Sequence, residues 1–530
     1  MRAIIGFFLT ALLLAGCGGG GGGGSSSGGV TPPPPAGWQS GVYKPAANFA
    51  AMCVAPRTGT DPATGKPYPD HAGTLLDENN WLRSWNNDLY LWYSEVTDQD
   101  PALFASTNAY FDVLKTTAMT STGAAKDRFH FTYPTAQWQS LSQGNVQVGY
   151  GAQWVILSGV PPRQLVIAYT EPGSPATDST ANLARGAQVL SVDGVDLVND
   201  NTQAGIDTLN AGLFPGAANE THVLQILDVG ATASRTVTLV SAAITSQPVQ
   251  DVSTIATSTG SVGYMLFNDH LATSEAALVN AFTTLKTAGV RDLVLDIRYN
   301  GGGYLDIASE VAYMIAGPGA TSGATFELQQ FNDKYVSVDP VTGQTIAPVP
   351  FHSTTQGFST TAGQPLPALN LLRVFVLTGP GTCSASESII NSLRGIGVPV
   401  VQIGSTTCGK PYGFYPQDNC GTTYFSIQFR GVNALNFGDY SDGFSPANAP
   451  VLANAVVPGC AVADDFTHAL GDPAEARLAA ALGYRTSTSC PPATGLARLA
   501  SAPNLAAVDG MLPAAALRQL RILRSLRPAP

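Results

Sequence analysis

The stretch Val262-Gly263-Tyr264-Met265-Leu266-Phe267, followed by Ser274 to Ala288 and then by Leu293-Val294-Leu295-Asp296-Ile297, decides the fold. The two outer runs are short and almost wholly apolar, as strands covered on both faces are. The segment between them repeats apolar residues at helical spacing and stops at Gly289. Strand, helix and strand in that order form a βαβ unit, with both strands parallel in one sheet. The pattern then continues with a helix near Asp306 to Ile315 and a polar insertion from about Gly317 to Pro367, read as a hairpin or lid. After it come a strand at Arg373 to Leu377, a helix at Ser384 to Arg394 and a strand at Val398 to Ile403. The fold class is therefore α/β, with chemistry expected where strands end and helices begin.

Upstream, between about Val146 and Ala243, the pattern changes to short β-rich runs set off by Gly and Pro, among them Gln153 to Leu157, Leu165 to Tyr169, Val189 to Val192 and Thr236 to Val240. A compact β-rich domain is expected over 145–245. Its strings Glu171-Pro172-Gly173-Ser174-Pro175-Ala176 and Ala184-Arg185-Gly186-Ala187-Gln188-Val189-Leu190-Ser191-Val192-Asp193-Gly194 resemble a PDZ domain. In that fold a Gly-rich turn, here Gly149-Tyr150-Gly151-Ala152, offers backbone N–H groups to a peptide's terminal carboxylate, and the peptide adds as a strand. The alternative is a degenerate domain with a closed groove. Before it, Trp81, Leu82, Trp85, Leu89 and Trp92 share one face of an amphipathic helix, continued by Phe104, Tyr110, Phe111 and Leu114 and closing around Asp127-Arg128-Phe129. This N-terminal helical region, 38–140, is read as a cap with structural aromatics.

The ends of the chain speak of location. Arg2 and the apolar run Ile4 to Leu14, too short to span a bilayer, read as an export signal. Leu14-Ala15-Gly16-Cys17 resembles the bacterial lipobox, which makes Cys17 a lipidated N-terminus and 1–17 the signal. Residues 18–37, rich in Gly and Ser and then Pro, form a tether that holds a domain off a membrane. The expected location is the bacterial cell envelope, lipid-anchored at the outer membrane and facing the periplasm or the cell surface. From Pro491 the tail (491–530) carries five arginines against one acid, and Leu517, Leu520, Ile522, Leu523 and Leu526 repeat at helical spacing, as in a docked terminal helix or a membrane-contacting one. A net charge of -11 and a charged fraction of 12% argue against a nucleic-acid partner. Six further cysteines, at 53, 383, 408, 420, 460 and 490, are expected as structural disulfides rather than a metal site, with Cys408–Cys420 and Cys460–Cys490 as the local pairings. No cofactor is expected.

The chemistry gathers at three places. Gly381-Thr382-Cys383-Ser384-Ala385-Ser386-Glu387 puts a serine between a strand and a helix, where unpaired N–H groups favour negative charge. Gly409-Lys410 lies just beyond the next strand, and Lys410 is one of only seven lysines in the chain. Lysine serves as a base only where burial penalises its charged form. Asp296-Ile297-Arg298-Tyr299-Asn300-Gly301-Gly302-Gly303 runs a strand into three glycines, whose N–H groups can approach a ligand closely. A nucleophile, a base and an oxyanion donor are the three things that peptide-bond attack by serine requires.

Taken in this order, the segments resemble the C-terminal processing, or tail-specific, protease family from about Glu78 to Cys490. Ile297 to Gly303 matches that family's Leu-Arg-Asn-Asn-Pro-Gly-Gly type motif, and Ser384 to Glu387 matches its Ser-Ala-Ser-Glu string. The resemblance implies a crotonase/ClpP-like βα catalytic domain over 246–490. It makes Ser384 the nucleophile, Lys410 the base and the N–H groups of Ala385 and Gly302 the oxyanion donors, with Ser386 and Glu387 supporting the helix start. It further implies protein or peptide substrates with free C-termini. Family members often place a Gln four residues after the lysine to orient it, whereas this chain has Phe414, which cannot hydrogen-bond an amine. Tyr412 is the substitute considered. His130 and His270, the histidines near these segments, are read as structural. Two other functions share the fold: a catalytically silent peptide-binding lipoprotein, and a crotonase-type acyl-CoA enzyme, which an export signal disfavours.

Overall fold

The computed structural model describes residues 37–492 apart from 63, 145, 450–452 and 454. The export signal, Cys17, nearly all of the tether and the tail segment Ala514 to Leu526 lie outside the described residues. Among the described residues no helix is long and apolar enough to cross a membrane.

Helix α1, Leu75–Leu89, begins before the aromatic spacing becomes visible because Thr74 caps it. The Asp77 N–H donates to the Thr74 hydroxyl, and the Asp77 carboxylate accepts the Thr74 N–H in return. Trp81 and Trp85 stack at 5.2 Å and lean on Tyr424 and Phe111. Tyr424 belongs to the far end of the chain, so this region is more than a cap. Strand Phe131–Pro134 pairs antiparallel with Thr422–Phe425, and the disulfide Cys53–Cys420 crosses the same seam.

The β-rich unit contains β1 (Ala152–Ser158), β2 (Gln164–Thr170), β3 (Gln188–Val192), helix α2 (Gln203–Leu213), β4 (Thr221–Leu227) and β5 (Arg235–Val240). Its antiparallel strands run in the order β5-β4-β3-β2-β1, with β1 at one edge. Trp154, Ile167, Val189, Leu209, Leu224 and Val237 share its core. Arg185 fastens the unit to the rest of the chain: its guanidinium donates to Asp464 Oδ1 at 2.6 Å and to the Tyr299 hydroxyl at 2.7 Å. Arg298 donates to the same Asp464 oxygen at 2.7 Å.

The catalytic-type core is a single six-stranded sheet. Its strands are β6 (Val249–Ile255), β7 (Val262–Phe267), β8 (Asp292–Asp296), β9 (Val374–Thr378), β10 (Val400–Gly404) and β11 (Gly459–Ala461), in that spatial order. Only β6 is antiparallel to its neighbour. The unbroken apolar runs have a simple cause, since successive side chains serve opposite faces and both faces are covered. Met265, Phe267, Leu293, Leu295, Val374 and Val376 meet helices α3 (Ser274–Thr287), α4 (Leu305–Ala316) and α5 (Ala385–Gly395). Tyr264, Leu266, Val294, Phe375 and Leu377 meet α6 (Ala476–Ser487) on the other side.

Of the two expected disulfides Cys460–Cys490 is formed, but Cys408 is not joined to Cys420. Cys408 pairs with Cys383, and Cys420 with Cys53. Sequence proximity misleads here because the loops after β9 and β10 run side by side, with the Cys408 N–H donated to the Thr382 carbonyl.

Within the insertion, Thr325–Gln330 pairs with Phe429–Val432, and the segment 356–360 is tied down by one buried carboxylate. Glu275 accepts N–H groups from Gln356 (2.6 Å), Gly357 (2.8 Å), Ser359 (2.9 Å) and Thr360 (3.1 Å). Glu310, also buried, shares the Gln356 N–H. Burial first, and then the neighbouring Glu275, push the Glu310 carboxyl up to about 9. Glu310 therefore keeps its proton at neutral pH and bonds to its neighbour. An unfolded chain loses that proton from its ordinary value of 4.5 upward, so stability falls as pH rises from there to about 9. Glu310→Gln is expected to raise unfolding stability at neutral pH by about 1–3 kcal/mol. Urea unfolding checks this, and the gain should vanish near pH 4.

Candidate active site

Three loops converge at the carboxyl ends of β8, β9 and β10, the place a parallel sheet offers for a site. The first carries Asn300 and the glycines, the second ends at Ser384, and the third carries Lys410.

Ser384 is buried and has φ +54° and ψ -111°. A side-chain-bearing residue in such backbone costs about 1–3 kcal/mol and persists only where its surroundings enforce it. Two restraints do so. The disulfide Cys383–Cys408 binds the residue before Ser384 to the loop of Lys410, with 5.2 Å between the α-carbons. Glu387, in the first turn of α5 and fully buried, accepts the Ser384 N–H at 2.9 Å on Oε2. The same oxygen accepts the Lys410 N–H at 2.8 Å, so the two backbone nitrogens lie within two hydrogen-bond lengths of each other. Oε1 accepts the Gly409 N–H at 2.8 Å and the Thr407 hydroxyl at 2.5 Å. Gly409 has φ +83°, and a Cβ there would stand 2.3 Å from the Ser441 carbonyl oxygen, so glycine alone lets the loop pass.

Lys410 is 1% exposed, and its amine has no hydrogen-bond partner among the described residues. Burial holds the amine well below the usual lysine range, against the opposing pull of the Asp127 and Glu387 carboxylates. Nζ stands 4.6 Å from the centre of the Phe129 ring and 4.2 Å from that of Phe414. Tyr412 does not orient it, because its ring packs edge-on to Trp92 at 4.7 Å.

Ala385 is the first residue of α5, so helical geometry gives its N–H no partner within the helix. Gly302, with φ +102°, presses against this point: a Cβ on it would lie 2.8 Å from the Cys383 oxygen and 3.1 Å from the Ala385 nitrogen. The Gly302 N–H, however, is donated to Asn300 Oδ1 at 2.9 Å. That oxygen also meets His270 Nδ1 at 2.9 Å, while the Asn300 carbonyl accepts the Cys383 N–H and the Ser386 hydroxyl. His270 is fully buried, which lowers its imidazole to about 3; Nδ1 meets Asn300 and Nε2 has no hydrogen-bond partner among the described residues, so neither is paired with a carboxylate. A Ser-His-acid arrangement needs such a pair. His130 has a carboxylate beside it, Asp127 Oδ2 at 3.6 Å from Nδ1, but its Nε2 is taken by the Phe111 carbonyl in the N-terminal region.

Of Gly149-Tyr150-Gly151-Ala152, Gly149 pairs with Ala242 at a strand end, and Tyr150 and Gly151 lead into β1 at Ala152. Gly151 has φ +79°, with no room for a Cβ beside Ser174, and its carbonyl accepts the Glu171 N–H. The Tyr150 hydroxyl and the Trp154 indole donate to the carbonyls of Gly212 and Leu213, which draws the end of α2 onto the turn.

Sequence reasoning did not single out Asn300, Phe129, Asp127 or the Cys383–Cys408 bridge as parts of the site. Asn300 carried a signal, being the polar residue before a glycine triplet, and Cys383 adjoins the serine. Phe129 carried none, because only the fold brings it to Lys410. As for a metal, Cys53, Glu78 and Cys420 gather their ligand atoms within 4.8 Å, as do Cys383, Glu387 and Cys408, but in each group both thiols are committed to a disulfide.

Residues 261–414 match the model of Peptidase family S41, and residues 77–132 match that of the Peptidase S41 N-terminal domain. The first match includes Ser384, Lys410 and the glycine loop, and the second the amphipathic helix and Asp127 to Phe129. A carboxyl-terminal-processing protease of Picosynechococcus sp. is 28% identical over 240 residues, which cover 45% of this chain and 49% of that protein. The chain thus spans about half the length of the relative it matches. A crystal structure from Bacteroides fragilis NCTC 9343, assigned to the S41 proteases, shares the fold with a TM-score of 0.58 at 23% identity, over 80% of this chain and 100% of that one. The chain thus carries two segments that match peptidase family S41, residues 77–132 and 261–414, on a fold shared with that structure.

Proposed function

We propose that the protein is a serine endopeptidase of the C-terminal processing type, with Ser384 as nucleophile and Lys410 as general base. The observation that carries this reading is the buried Lys410 amine, on a loop whose backbone shares the Glu387 carboxylate with that of Ser384, where burial disfavours its charged form. Ser384 Oγ attacks the scissile carbonyl while its proton passes to Lys410 Nζ. The Ala385 N–H and the helix start behind it receive the oxyanion. Gly302 joins as second donor once Asn300 releases its N–H. Collapse of the intermediate breaks the C–N bond, the ammonium returns the proton to the leaving amine, and water then hydrolyses the acyl-enzyme by the same route. The β-rich unit serves as a PDZ-like receptor for a substrate's C-terminal carboxylate at Gly149 to Ala152, with the peptide adding at the β1 edge. Its supports are the edge position of β1 and the turn before it. Lipidation at Cys17 would place this activity on exported proteins at the cell envelope.

Two features favour the second reading, a peptide-binding protein without turnover: Lys410 makes no hydrogen bond to Ser384, and the Gly302 N–H is occupied. Labelling by a fluorophosphonate decides between them. Wild type is expected to be labelled at Ser384 and to hydrolyse casein, and Ser384→Ala to lose both. A wild type that binds peptides but is never acylated would leave the binding reading alone standing.

Since the base must be uncharged, the rate falls as pH drops through the lowered Lys410 value, by about tenfold per unit below it. The plateau should be reached well short of pH ~10.4, the ordinary lysine value, in a plot of kcat/KM against pH. Glu387→Ala leaves the N–H groups of Ser384, Gly409 and Lys410 without their acceptor inside the protein. It is expected to cost about 3 kcal/mol or more of stability, together with nearly all fluorophosphonate labelling, read by denaturant unfolding and mass spectrometry.

A further inference from the structure

A base must be aimed as well as uncharged, and among the described residues no polar side chain hydrogen-bonds the Lys410 amine. What surrounds its amine instead is aromatic. Phe414, fully buried, comes from the Lys410 loop, whereas Phe129, 4% exposed, comes from the end of the N-terminal region. Their ring centres lie 4.2 and 4.6 Å from Nζ, within cation–π range. Both rings are themselves fixed. Phe414 packs edge-on to Phe425 at 5.2 Å, and Phe425 is stacked by Phe131 at 4.3 Å across the seam between the N-terminal region and the core. The Phe129 N–H is donated to Asp127 Oδ1 at 2.9 Å, and the same Asp127 accepts the Tyr90 hydroxyl at 2.6 Å. Arg128, between them, donates to the Cys408 carbonyl at 2.9 Å, two residues before Lys410. The segment 127–129 therefore grips the lysine loop by its backbone and by its amine.

We propose that Phe129 and Phe414 are positioning residues, forming an aromatic slot that aims the Lys410 amine at Ser384 and makes the N-terminal region part of the catalytic apparatus. This rests on the reading of Ser384 and Lys410 as nucleophile and base. The rings exclude water, which disfavours the ammonium in the resting site. Their π faces attract N–H groups, which directs the amine's hydrogens toward the rings and leaves its lone pair for the serine proton. When the proton arrives, the same faces stabilise the new ammonium. The titratable and charged groups around the slot are the Asp127 and Glu387 carboxylates, which favour the ammonium as the ring faces do, His130 and the Tyr90 hydroxyl on that same Asp127, and the Arg128 guanidinium, which lies at the Cys408 carbonyl and 5.5 Å from the Phe129 ring centre.

The test uses the full chain with Phe129→Ala, Phe129→Leu, Phe129→Tyr and Phe414→Leu. It reads the rate of Ser384 labelling by a fluorophosphonate from roughly pH 5 to pH 10, with thermal unfolding alongside. Phe129→Ala admits water, so the acid limb is expected to move up by about one pH unit and labelling at neutral pH to fall about tenfold. The Leu variants keep the site dry but lack the π face that stabilises the ammonium, so the limb should move down, opposite to Phe129→Ala, and the plateau fall about three- to tenfold. Phe129→Tyr keeps the ring face and should stay within about twofold of wild type. Should Phe129→Ala fail to fold, the contrast between Leu and Tyr at position 129 decides. Labelling that matches wild type in both plateau and acid limb for Phe129→Leu and Phe414→Leu would overturn the slot while leaving the Ser384 reading intact. Absence of labelling in wild type itself would overturn both.

Discussion

One buried carboxylate organises the site. Glu387 sits in the first turn of α5 and accepts the backbone N–H groups of Ser384, Gly409 and Lys410. Backbone amides in two different loops are thereby fixed by a single rigid group that has no freedom of its own. Without it, the loop after β10 would have to bury those amides unpaired, at a cost of about 1–3 kcal/mol each. The Cys383–Cys408 bridge works along the same line, covalently joining the residue before Ser384 to the residue before Gly409. The unfavourable backbone of Ser384 is tolerable because it is held from both directions.

The second constraint is the seam between the N-terminal region and the core. Its strand pairing, its disulfide Cys53–Cys420 and its ring stack Phe131–Phe425 serve no chemistry directly. They fix where Asp127, Arg128 and Phe129 arrive, and those three residues complete the wall around Lys410. A segment 281 positions before the lysine can form that wall only if the seam is stiff. This accounts for the heavy burial of aromatics along it, including Tyr90, Phe129, Tyr133 and Phe425.

How far the sequence could be read follows from the range of each signal. The parallel strands β7 to β10 and their helices were legible because side-chain alternation on a doubly covered sheet leaves plain apolar runs. Ser384, Lys410 and the glycine loop were legible because each stands at a strand end within a local motif. The partners of Cys408 and Cys420 were not, since pairing depends on which loops run side by side. The role of Phe129 was invisible, because an aromatic residue at the end of a helical region reads as packing wherever its neighbour is unknown. Gly302 does lie against Ser384, but the engagement of its N–H by Asn300 is a property of side-chain geometry that no spacing encodes.

The electrostatics of the proposed mechanism favour the transition state over the resting site. With Lys410 uncharged, Asp127 is stabilised by His130, the Tyr90 hydroxyl and the Phe129 N–H, and the loop amides stabilise Glu387 against the burial that pushes its carboxyl up. Neither needs the lysine. When the serine proton reaches Nζ, an ammonium appears among two carboxylates and two ring faces that are already in place, and no group has to move to receive it. The oxyanion forms at the same moment beside the Ala385 N–H. Interactions that strengthen only as charge separates lower the barrier rather than deepen substrate binding. A hydrogen-bonded ammonium at rest would do the reverse, fixing the proton before the reaction begins. On this view the missing polar partner of Lys410 is part of how the base works, and the two aromatic faces are what make its absence affordable.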